Sequence, residues 1–435
     1  MLIKGTDEKQ SIPMFLNYLA TILFFVWALS PYFLRNTSIS IVSLIIALWF
    51  ISAFIQIVVG KKSGKGLGVI IGIILWQLWE YSLRLLGYST AAWGNYYSKT
   101  LFWFSMIIFI FHSIYSTEKA REKIGKYILI IYLINLIDNL RLTVLYPTSS
   151  SDINYSWGSK YLEMNVGGTM FSAVTLFVFC ITLALLRNQT KRGIKFLFVF
   201  ISILEFFYLY YCARSTALVL AVIAIAFNII HSSSIYAKHK FIVNLFAILG
   251  IPILLFFIIP YILELINNIT SITKISDRIS DLDKFISGQS NSLQVEDSSL
   301  LMRIRLAEIS LSTFFSSIKN FFLGVGNRIF IAYNISFQSG VGGHSEFIDM
   351  LAKYGLIGSV FIFGILKSFF KLSISSLKEK PFYNNLKIVV IIYILYSFLN
   401  NSFSPELGVI VFVFLPYSQF LFDSSNKDKK VNLLN

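Results

Sequence analysis

Ionisable residues are scarce in this chain: Asp, Glu, Lys and Arg together make up 14% of its 435 residues. A typical soluble domain carries about 25% of such residues. Hydrophobic residues instead make up 56%, and the mean hydropathy is +0.71. Several uncharged runs approach the length of about 20 residues that spans a bilayer as a helix, and they are too long for the strands of an outer-membrane barrel. The sequence therefore predicts an all-α, polytopic integral membrane protein.

Cysteines and familiar catalytic signatures are also nearly absent. The two cysteines, Cys180 and Cys212, lie in or beside apolar segments and offer no disulfide framework. The chain contains no Gly-rich Walker loop and no HExxH, CxxC or Gly-x-Ser-x-Gly sequence. These absences argue against a cytosolic nucleotide-dependent reaction and against an ATP-driven pump. We expect neither a metal ion nor another cofactor.

About twelve apolar segments are long enough to be membrane spans. They are 14–33, 39–59, 67–86, 100–116, 127–146, 168–186, 194–211, 215–231, 241–262, 346–370, 386–400 and 406–422. Every second connection is rich in Lys and Arg: 60–66, 117–126, 187–195, 231–240 and 367–387, followed by the tail 423–435. The positive-inside rule therefore predicts that both termini are cytoplasmic. No cleavable signal peptide is evident, so we expect the first apolar segment to stay as an anchor.

The same distribution explains the formal net charge of +15. The excess basic residues lie in the predicted cytoplasmic loops, where they face anionic lipid headgroups. A nucleic-acid partner is not needed to explain the charge, and we expect membrane lipids as partners instead.

The predicted spans divide the chain into three parts. Residues 1–262 form an N-terminal membrane bundle of about nine spans, and residues 346–435 form the last spans and a cytoplasmic tail. Between them lies the external loop 263–345, which is too long to be a simple connection. The apolar spacing predicts an amphipathic helix in its first part and a second helix from about Ser298 to Lys319. Gly324 and Gly326 are expected to end that second helix.

Charged residues within the spans all lie toward the predicted outer side. They are Glu80, Arg84, Asp138, Arg141, Glu205, Arg214, Glu346, Asp349 and Lys353. Because charge inside a bilayer is costly, it persists where function or pairing compensates for that cost. The one-sided placement predicts a polar site that opens outward, as in an externally facing enzyme.

Several of these residues have two interpretations. Arg214 can offer a planar cationic fork to phosphate groups, or it can mark a helix end with its charge at the interface. Arg303 and Arg305, on the loop helix, are two residues apart and do not share a helical face, so at most one of them is expected to point into a cavity.

His344 is the only histidine predicted to lie outside, and it can exchange a proton near neutral pH. Glu346 and Asp349 follow it at helical spacing, with Lys353 four residues beyond Asp349. These residues form either a reactive group or an interfacial polar cap.

Two further pairs have the spacing of helical ion pairs, Glu80 with Arg84 and Asp138 with Arg141. We expect them to support the site by lowering the cost of burying charge.

Three stretches resemble the O-antigen polymerase (Wzy-type) and O-antigen ligase superfamily of bacterial membrane glycosyltransferases. The first is ARSTALVLAVIAIAF, an Arg-Ser step that opens a span of small residues. The second is SSLLMRIRLAEISLSTFFSSIKNFFLGVGNRIF, an Arg-bearing loop helix that closes on Gly-x-Gly. The third is GGHSEFIDMLAKYGLIGSVF, a His followed by an acidic helix ending in Gly-Leu-Ile-Gly. Together they cover roughly residues 205–365. The large external loop before the tenth predicted span also matches the topology of that family.

The resemblance implies a GT-C-like enzyme in the bacterial inner membrane that acts on undecaprenyl-diphosphate-linked saccharides at the outer face. It implies that Arg214 and one of Arg303 or Arg305 bind the diphosphate. It also implies that His344 lies beside the acceptor hydroxyl, with Glu346 or Asp349 as other candidates for the base. A chain-length regulator is a further possible partner.

We expect a polymerase that transfers a growing glycan to the next lipid-linked repeat unit. The alternative is a ligase that transfers the glycan to lipid A core. A flippase or other transporter is the alternative from another class, and it is disfavoured because we see neither repeated halves nor charge on both faces.

Overall fold

The structure is a computed structural model that describes residues 11–38, 118–145, 169–189, 191–212, 215–232, 300–326, 341–375 and 382–421, together with scattered positions within 41–47 and 72–85. This part of the chain is built of helices and turns and contains no strand. The helices are α1 (Ser11–Leu29), α2 (Pro31–Asn36), α3 (Glu118–Leu145), α4 (Thr169–Asn188), α5 (Arg192–Tyr211), α6 (Ser215–Ser232), α7 (Leu300–Phe315), α8 (Ile318–Leu323), α9 (Glu346–Ser375), α10 (Phe382–Leu399) and α11 (Pro405–Ser418).

Within the described ranges, four helices are long and apolar enough to cross a membrane, namely α3, α4, α5 and the Glu346–Lys371 part of α9. The described part of the chain is therefore that of an all-helical membrane protein. Shorter apolar helices, α1, α6, α10 and α11, coincide with four more predicted spans. The predicted spans 100–116 and 241–262 lie outside the described residues, as do most positions of 39–59 and 67–86.

Helix α3 shows the polarity expected in a bilayer, with polar side chains inside and apolar side chains outside. Asn135, Asn139 and Thr143 are buried, and each donates a hydrogen bond of 2.8 Å to the carbonyl four residues earlier. Ile130 and Ile134 on the opposite face are more than half exposed. Buried amides and hydroxyls can link helices in lipid, whereas the exposed isoleucines match the hydrocarbon.

Helix α11 is the centre of the bundle. Val409 to Phe414 form a π-helical segment, and each of their side chains is at most 1% exposed. The helix packs against α1, α3, α4, α9 and α10. A helix that is hydrophobic on every face is stable only when it is surrounded, which accounts for this central position.

Contacts between helices identify the two ends of the bundle. At one end, the guanidinium of Arg121 near the start of α3 lies over the rings of Tyr417 and Phe420, at 5.9 and 5.8 Å. At the other end, the start of α9 meets the junction between α10 and α11 through the hydrogen bond from Glu346 N to Asn400 O. Basic residues of α3 lie near the first end, and the buried carboxyls of Glu346 and Asp349 lie at the second.

Three boundaries differ from the sequence prediction. Helix α3 begins at Glu118, nine residues before the predicted span, because its charged first turns are helical rather than a loop. The segment predicted as 14–33 is interrupted at Ser30, whose extended backbone precedes Pro31 at the first position of α2. Helix α9 continues to Ser375, into the predicted basic loop.

The predicted second loop helix is present, but it is divided. Helix α7 ends at Phe315, and α8 starts after Ser317, whose side chain accepts a 3.1 Å hydrogen bond from Asn320 N. Gly324, with φ of 73°, ends α8 as expected from its lack of a Cβ. The first amphipathic helix predicted for the loop lies outside the described residues.

Candidate active site at the start of α9

Helix α9 is broken at Gly355, which has φ of 62° and ψ of −171°. The break separates a first segment, Glu346 to Tyr354, from the longer apolar segment that follows it. We call this first segment, together with the turn 341–345 that precedes it, the α9 head. A non-helical residue inside a membrane helix leaves carbonyl groups without their usual intrahelical donors, so other groups must satisfy them.

The glycine turn that ends α8 supplies those donors. Val325 N donates to Ala352 O over 2.9 Å, and Gly326 N donates to Lys353 O over 2.8 Å. The backbones approach so closely that a Cβ added at Gly324 would clash with the Lys353 carbonyl, and one at Gly355 would clash with the Phe322 backbone. The Gly-x-Gly turn and the break in α9 therefore form one interlocked backbone unit.

The loop helix α7 is fixed to the α9 head by a buried hydroxyl. Ser310 Oγ donates to Asp349 Oδ1 over 2.5 Å and accepts a hydrogen bond of 2.8 Å from Gly342 N. The second oxygen of Asp349, Oδ2, accepts from Ser345 N at 3.1 Å. At Gly342 a Cβ would clash with the Leu306 backbone, so α7 also lies directly on the turn before α9. Asp349 thus joins α7, the turn and α9.

Glu346 fixes the α9 head to the α10–α11 junction on its other side. Its Oε2 accepts hydrogen bonds from Ser402 N at 2.9 Å and Phe403 N at 3.0 Å. Asn401 adds a 2.9 Å bond from its Nδ2 to Gly343 O. Buried backbone N–H groups must find acceptors, and the carboxylate of Glu346 serves two of them.

Lys353 is the buried cation of the α9 head, with 7% of its surface exposed. Its ammonium group interacts electrostatically with both Asp349 and Glu346. A buried cation with two carboxylates nearby is already compensated within the protein. Lys353 therefore stabilises the acidic start of α9, where the two carboxylates already balance its charge.

Three buried polar atoms at this end have no hydrogen-bond partner among the described residues. They are Ser345 Oγ, Asn401 Oδ1 and Glu406 Oε2. Each of these residues belongs to the turn before α9 or to the segment that follows α10. Buried polar atoms are normally satisfied, so each orphaned atom marks a place where water or another polar group is expected.

The structure describes some of the predicted catalytic residues and not others. His344 lies in the turn directly before Ser345 and Glu346 and is partly buried. Arg303 and Arg305 lie on α7, the helix that packs on α9, but their side chains are outside the described part, as are Arg214, Glu80 and Arg84 altogether. The described structure therefore joins His344, Glu346, Asp349 and the helix of the two arginines in one region.

The other predicted supporting pair is observed as an ion pair. Arg141 Nη2 lies 2.9 Å from Asp138 Oδ1, and their side chains are 66% and 33% exposed. The pair is at the end of α3 and has the i, i+3 spacing of two residues on one helical face.

Glu205 occupies a second buried polar location, between α3, α4 and α5. It is fully buried, and Thr182 Oγ1 lies 3.4 Å from its Oε1. The phenol of Tyr132 lies beside it, and its Oε2 has no hydrogen-bond partner in the described chain. Hydroxyl groups from two neighbouring helices therefore provide its polar surroundings.

Sequence reasoning did not select Ser310, Ser402 or Glu406. A serine within a loop helix and a Ser-Pro-Glu sequence at a helix start are too common to indicate a site. Ser404 caps α11, with its Oγ accepting from Leu407 N, and Glu406 follows in the first turn. Each of these three side chains is buried, which only the folded structure shows.

A comparison of the chain with known protein families and with curated proteins found no match.

Proposed function

We propose that this protein is a bacterial inner-membrane glycosyltransferase, a polysaccharide polymerase with about twelve spans, a GT-C-like arrangement and cytoplasmic termini. Its donor is a glycan linked to undecaprenyl diphosphate, and its acceptor is another lipid-linked repeat unit. The reaction takes place at the outer face of the membrane, and the loop 263–345 forms the external cover of the site.

One observation carries the proposal. The loop helix and the His-bearing acidic helix, two of the three stretches on which the family resemblance depends, are in direct contact. Ser310 of the first donates to Asp349 of the second, and the Gly-x-Gly turn of the first binds the broken backbone of the second. Only residues 331–341 separate the two stretches in the sequence. A shared site is a physical reason for both patterns to occur in one chain.

We place the start of the third stretch at the same end of the bundle. Helix α6 starts at Ser215, directly after Arg214, and packs against α4 and α10. Helix α10 ends at the junction that Glu346 binds. In the proposed topology α6 and α10 run in opposite directions, so the start of α6 belongs at that end. Arg214 is therefore expected near the α9 head.

The chemistry requires cations for the leaving group and a proton acceptor for the attacking hydroxyl. A polyprenyl diphosphate leaves readily, so positioning and cationic stabilisation provide most of the catalysis. In our proposal Arg214 and one of Arg303 or Arg305 bind the diphosphate, and His344 lies beside the acceptor. Glu346 and Asp349 hold the site together through their hydrogen bonds.

A gene deletion with glycan electrophoresis tests the proposed function. A polymerase mutant retains single repeat units on the lipid A core but loses the ladder of longer chains. Complete loss of attached glycan, with long lipid-linked polymer accumulating, would identify a ligase instead. Retention of unmodified repeat units on the cytoplasmic side would identify a flippase.

Reconstitution provides the direct measurement. The purified full-length protein is incubated in liposomes with the lipid-linked repeat unit of its own host and no nucleotide sugar. Formation of dimers and longer oligomers, with release of undecaprenyl diphosphate, supports the polymerase. A protein that yields neither product from substrate shown to be intact contradicts it.

A further inference from the structure

The corner between α7 and α8 exposes four large apolar side chains. Leu311 and Phe315 are exposed on α7, and Ile318 and Phe322 are exposed on α8. Each pair has the i, i+4 spacing of one helical face. Phe315 is 67% exposed and Ile318 is 81% exposed, so the fold itself covers neither of them. We call these four residues the corner stripe. Exposed apolar patches of this kind mark surfaces that contact a membrane or a partner.

Helix α7 has two other faces beside the corner stripe. The face toward α9 is buried and includes Leu306 and Phe314. A second exposed face is polar, with residues at intervals of four along the chain: Glu308, Ser312 and Ser316. A helix that packs on protein with one face and exposes an apolar face next to a polar face fits the boundary between hydrocarbon and water.

Ring contacts fix the orientation of the corner stripe. The ring centroid of Phe315 lies 4.8 Å from that of the buried Phe314, and the centroid of Phe322 lies 5.0 Å from that of Phe321. The centroids of Phe314 and Phe321 are 4.9 Å apart. These four rings join the end of α7 to α8, so the exposed side chains belong to one surface.

The contact with α9 gives the level of this corner relative to the bilayer. A Cβ at Gly355 would clash with the Phe322 backbone, so α8 lies against the break in α9. Directly after the break, α9 exposes the apolar side chains of Leu356, Ile357 and Val360. They belong to the segment of α9 that is long and apolar enough to cross a membrane. The corner stripe therefore adjoins the level at which α9 begins to show apolar side chains to its surroundings.

We propose that the corner stripe is inserted into the edge of the bilayer and that its partners are lipid acyl chains. The side chains of the stripe carry no charge and no hydrogen-bonding group, which matches hydrocarbon and not a glycan. In the proposed topology this edge belongs to the outer leaflet. The inference goes beyond the glycosyl transfer, because it requires only that α9 crosses the membrane. Lipid contact and the bond from Ser310 to Asp349 together hold α7 against the α9 head.

Collision measurements on a spin label test the insertion in liposomes that contain no lipid-linked glycan. Oxygen is enriched in hydrocarbon, whereas a polar nickel chelate stays in water. The label is attached at Ile318→Cys in a protein whose two buried cysteines are replaced by Cys180→Ala and Cys212→Ala. We expect frequent collisions with oxygen and few with nickel, as for a label at Ile134→Cys on the exposed apolar face of α3. Ser312→Cys, on the polar face of α7, is the matched control and should collide more often with nickel.

Three results would overturn the inference. Equal nickel collision rates at positions 318 and 312 would place the corner stripe in water. Low collision rates with both reagents at position 318 would show that protein covers the stripe, either another part of this chain or a partner. Protection from nickel that appears only after undecaprenyl diphosphate is added would make the stripe a substrate site instead of a lipid contact.

Tryptophan fluorescence gives a second measurement that keeps both native cysteines. Ile318→Trp adds an indole at the exposed corner, and the difference from the wild-type spectrum reports this residue alone. We expect lipids brominated near the headgroup end of their acyl chains to quench the added emission more than lipids brominated near the chain end. Absence of quenching by either lipid would contradict insertion, and this measurement decides if the protein without cysteines does not fold.

These experiments are independent of the proposed function, because neither of them requires turnover. A protein that polymerises glycan while position 318 is open to the nickel chelate loses only the lipid contact. A protein whose corner stripe is inserted but that forms no oligomers from intact substrate loses only the polymerase proposal.

Discussion

Ser310 donates its hydroxyl hydrogen to Asp349 over 2.5 Å, although 39 residues separate the two in the sequence. The hydroxyl and the carboxylate are both buried, and the same Ser310 oxygen accepts from Gly342 N. The bond is therefore part of a chain of donors and acceptors that begins in the loop and ends at the first turn of α9. A carboxylate in this position is stable only because the loop helix reaches it.

Replacement of Ser310 by alanine tests this dependence. The change leaves Asp349 Oδ1 and Gly342 N without their shared partner, and an unsatisfied buried group costs about 1–3 kcal/mol. We expect Ser310→Ala to lower the free energy of unfolding by that amount and to make the loop more sensitive to limited proteolysis. Thermal unfolding in detergent measures the first effect, and the rate of cleavage measures the second.

Ser312→Ala is the control for this change. Ser312 is exposed on the same helix, and its hydroxyl bonds only to the nearby Ile309 carbonyl. Its replacement should change the unfolding temperature little. Equal destabilisation by the two variants would show that the helix, rather than the bond to Asp349, is sensitive to substitution.

The interlocked glycines give a second prediction. A Cβ at Gly324 would meet the Lys353 carbonyl, and one at Gly355 would meet the Phe322 backbone, in both cases with positive φ. Gly324→Ala and Gly355→Ala are therefore expected to separate the turn from α9, with loss of folded protein or of activity. The yield of monodisperse protein and its unfolding temperature provide the measurement.

Gly364→Ala is the matched control on the same helix, because nothing lies within 4 Å of its added Cβ. Alanine favours a helix over glycine by about 1 kcal/mol, so this variant should be as stable as the wild-type protein or slightly more stable. An equal loss of stability in Gly324→Ala, Gly355→Ala and Gly364→Ala would contradict the close backbone contact between the glycine turn and α9 as the cause.

The sequence predicted the helices well, because long apolar runs and helical spacing report the burial that a bilayer requires. The predicted segments 168–186 and 194–211 differ from α4 and α5 by only a few residues. Helix α3 was predicted to start too late because its first turns are charged, and charge density alone does not distinguish a helix end from a loop.

The sequence could not predict the arrangement of the candidate site. Glu346 was recognised as an acidic residue at a helix start, but its acceptance of the Ser402 and Phe403 N–H groups depends on a fold across 56 residues. The family pattern ends the acidic helix at Gly-Leu-Ile-Gly, which starts at Gly355, but the predicted span 346–370 continues through it. The apolar run therefore did not predict a backbone break at this glycine. Backbone hydrogen bonds from another segment, rather than local propensity, favour the break there.

Replacement of Glu346 is expected to affect stability before it affects chemistry. Glu346→Ala leaves two buried backbone N–H groups without an acceptor, at about 1–3 kcal/mol each. Glu346→Gln retains a carbonyl oxygen that can accept both, so its loss of stability should be smaller. Thermal unfolding of the two variants measures the difference, and a Gln variant less stable than the Ala variant would contradict the anchoring role.

The proposed catalytic cation and histidine give a functional prediction. Arg214→Ala and His344→Ala should abolish polymerisation while the protein still inserts into the membrane at its normal level. Complementation of a deletion strain, read by glycan electrophoresis, measures polymerisation, and immunoblotting of membranes measures insertion. A wild-type ladder from both variants would remove these residues from the site.

Arg303 and Arg305 on α7 should give unequal results when each is replaced by alanine. Two positions on a helix are separated by about 200°, so one side chain can face α9 and the bound diphosphate while the other faces away. We expect one variant to lose polymerisation and the other to retain most of it, as measured by the same ladder. Lysine at the sensitive position should restore little, because it lacks the planar fork that binds two phosphate oxygens together. Equal activity of both alanine variants would mean that the diphosphate is held without this helix, and that α7 serves the site only through Ser310.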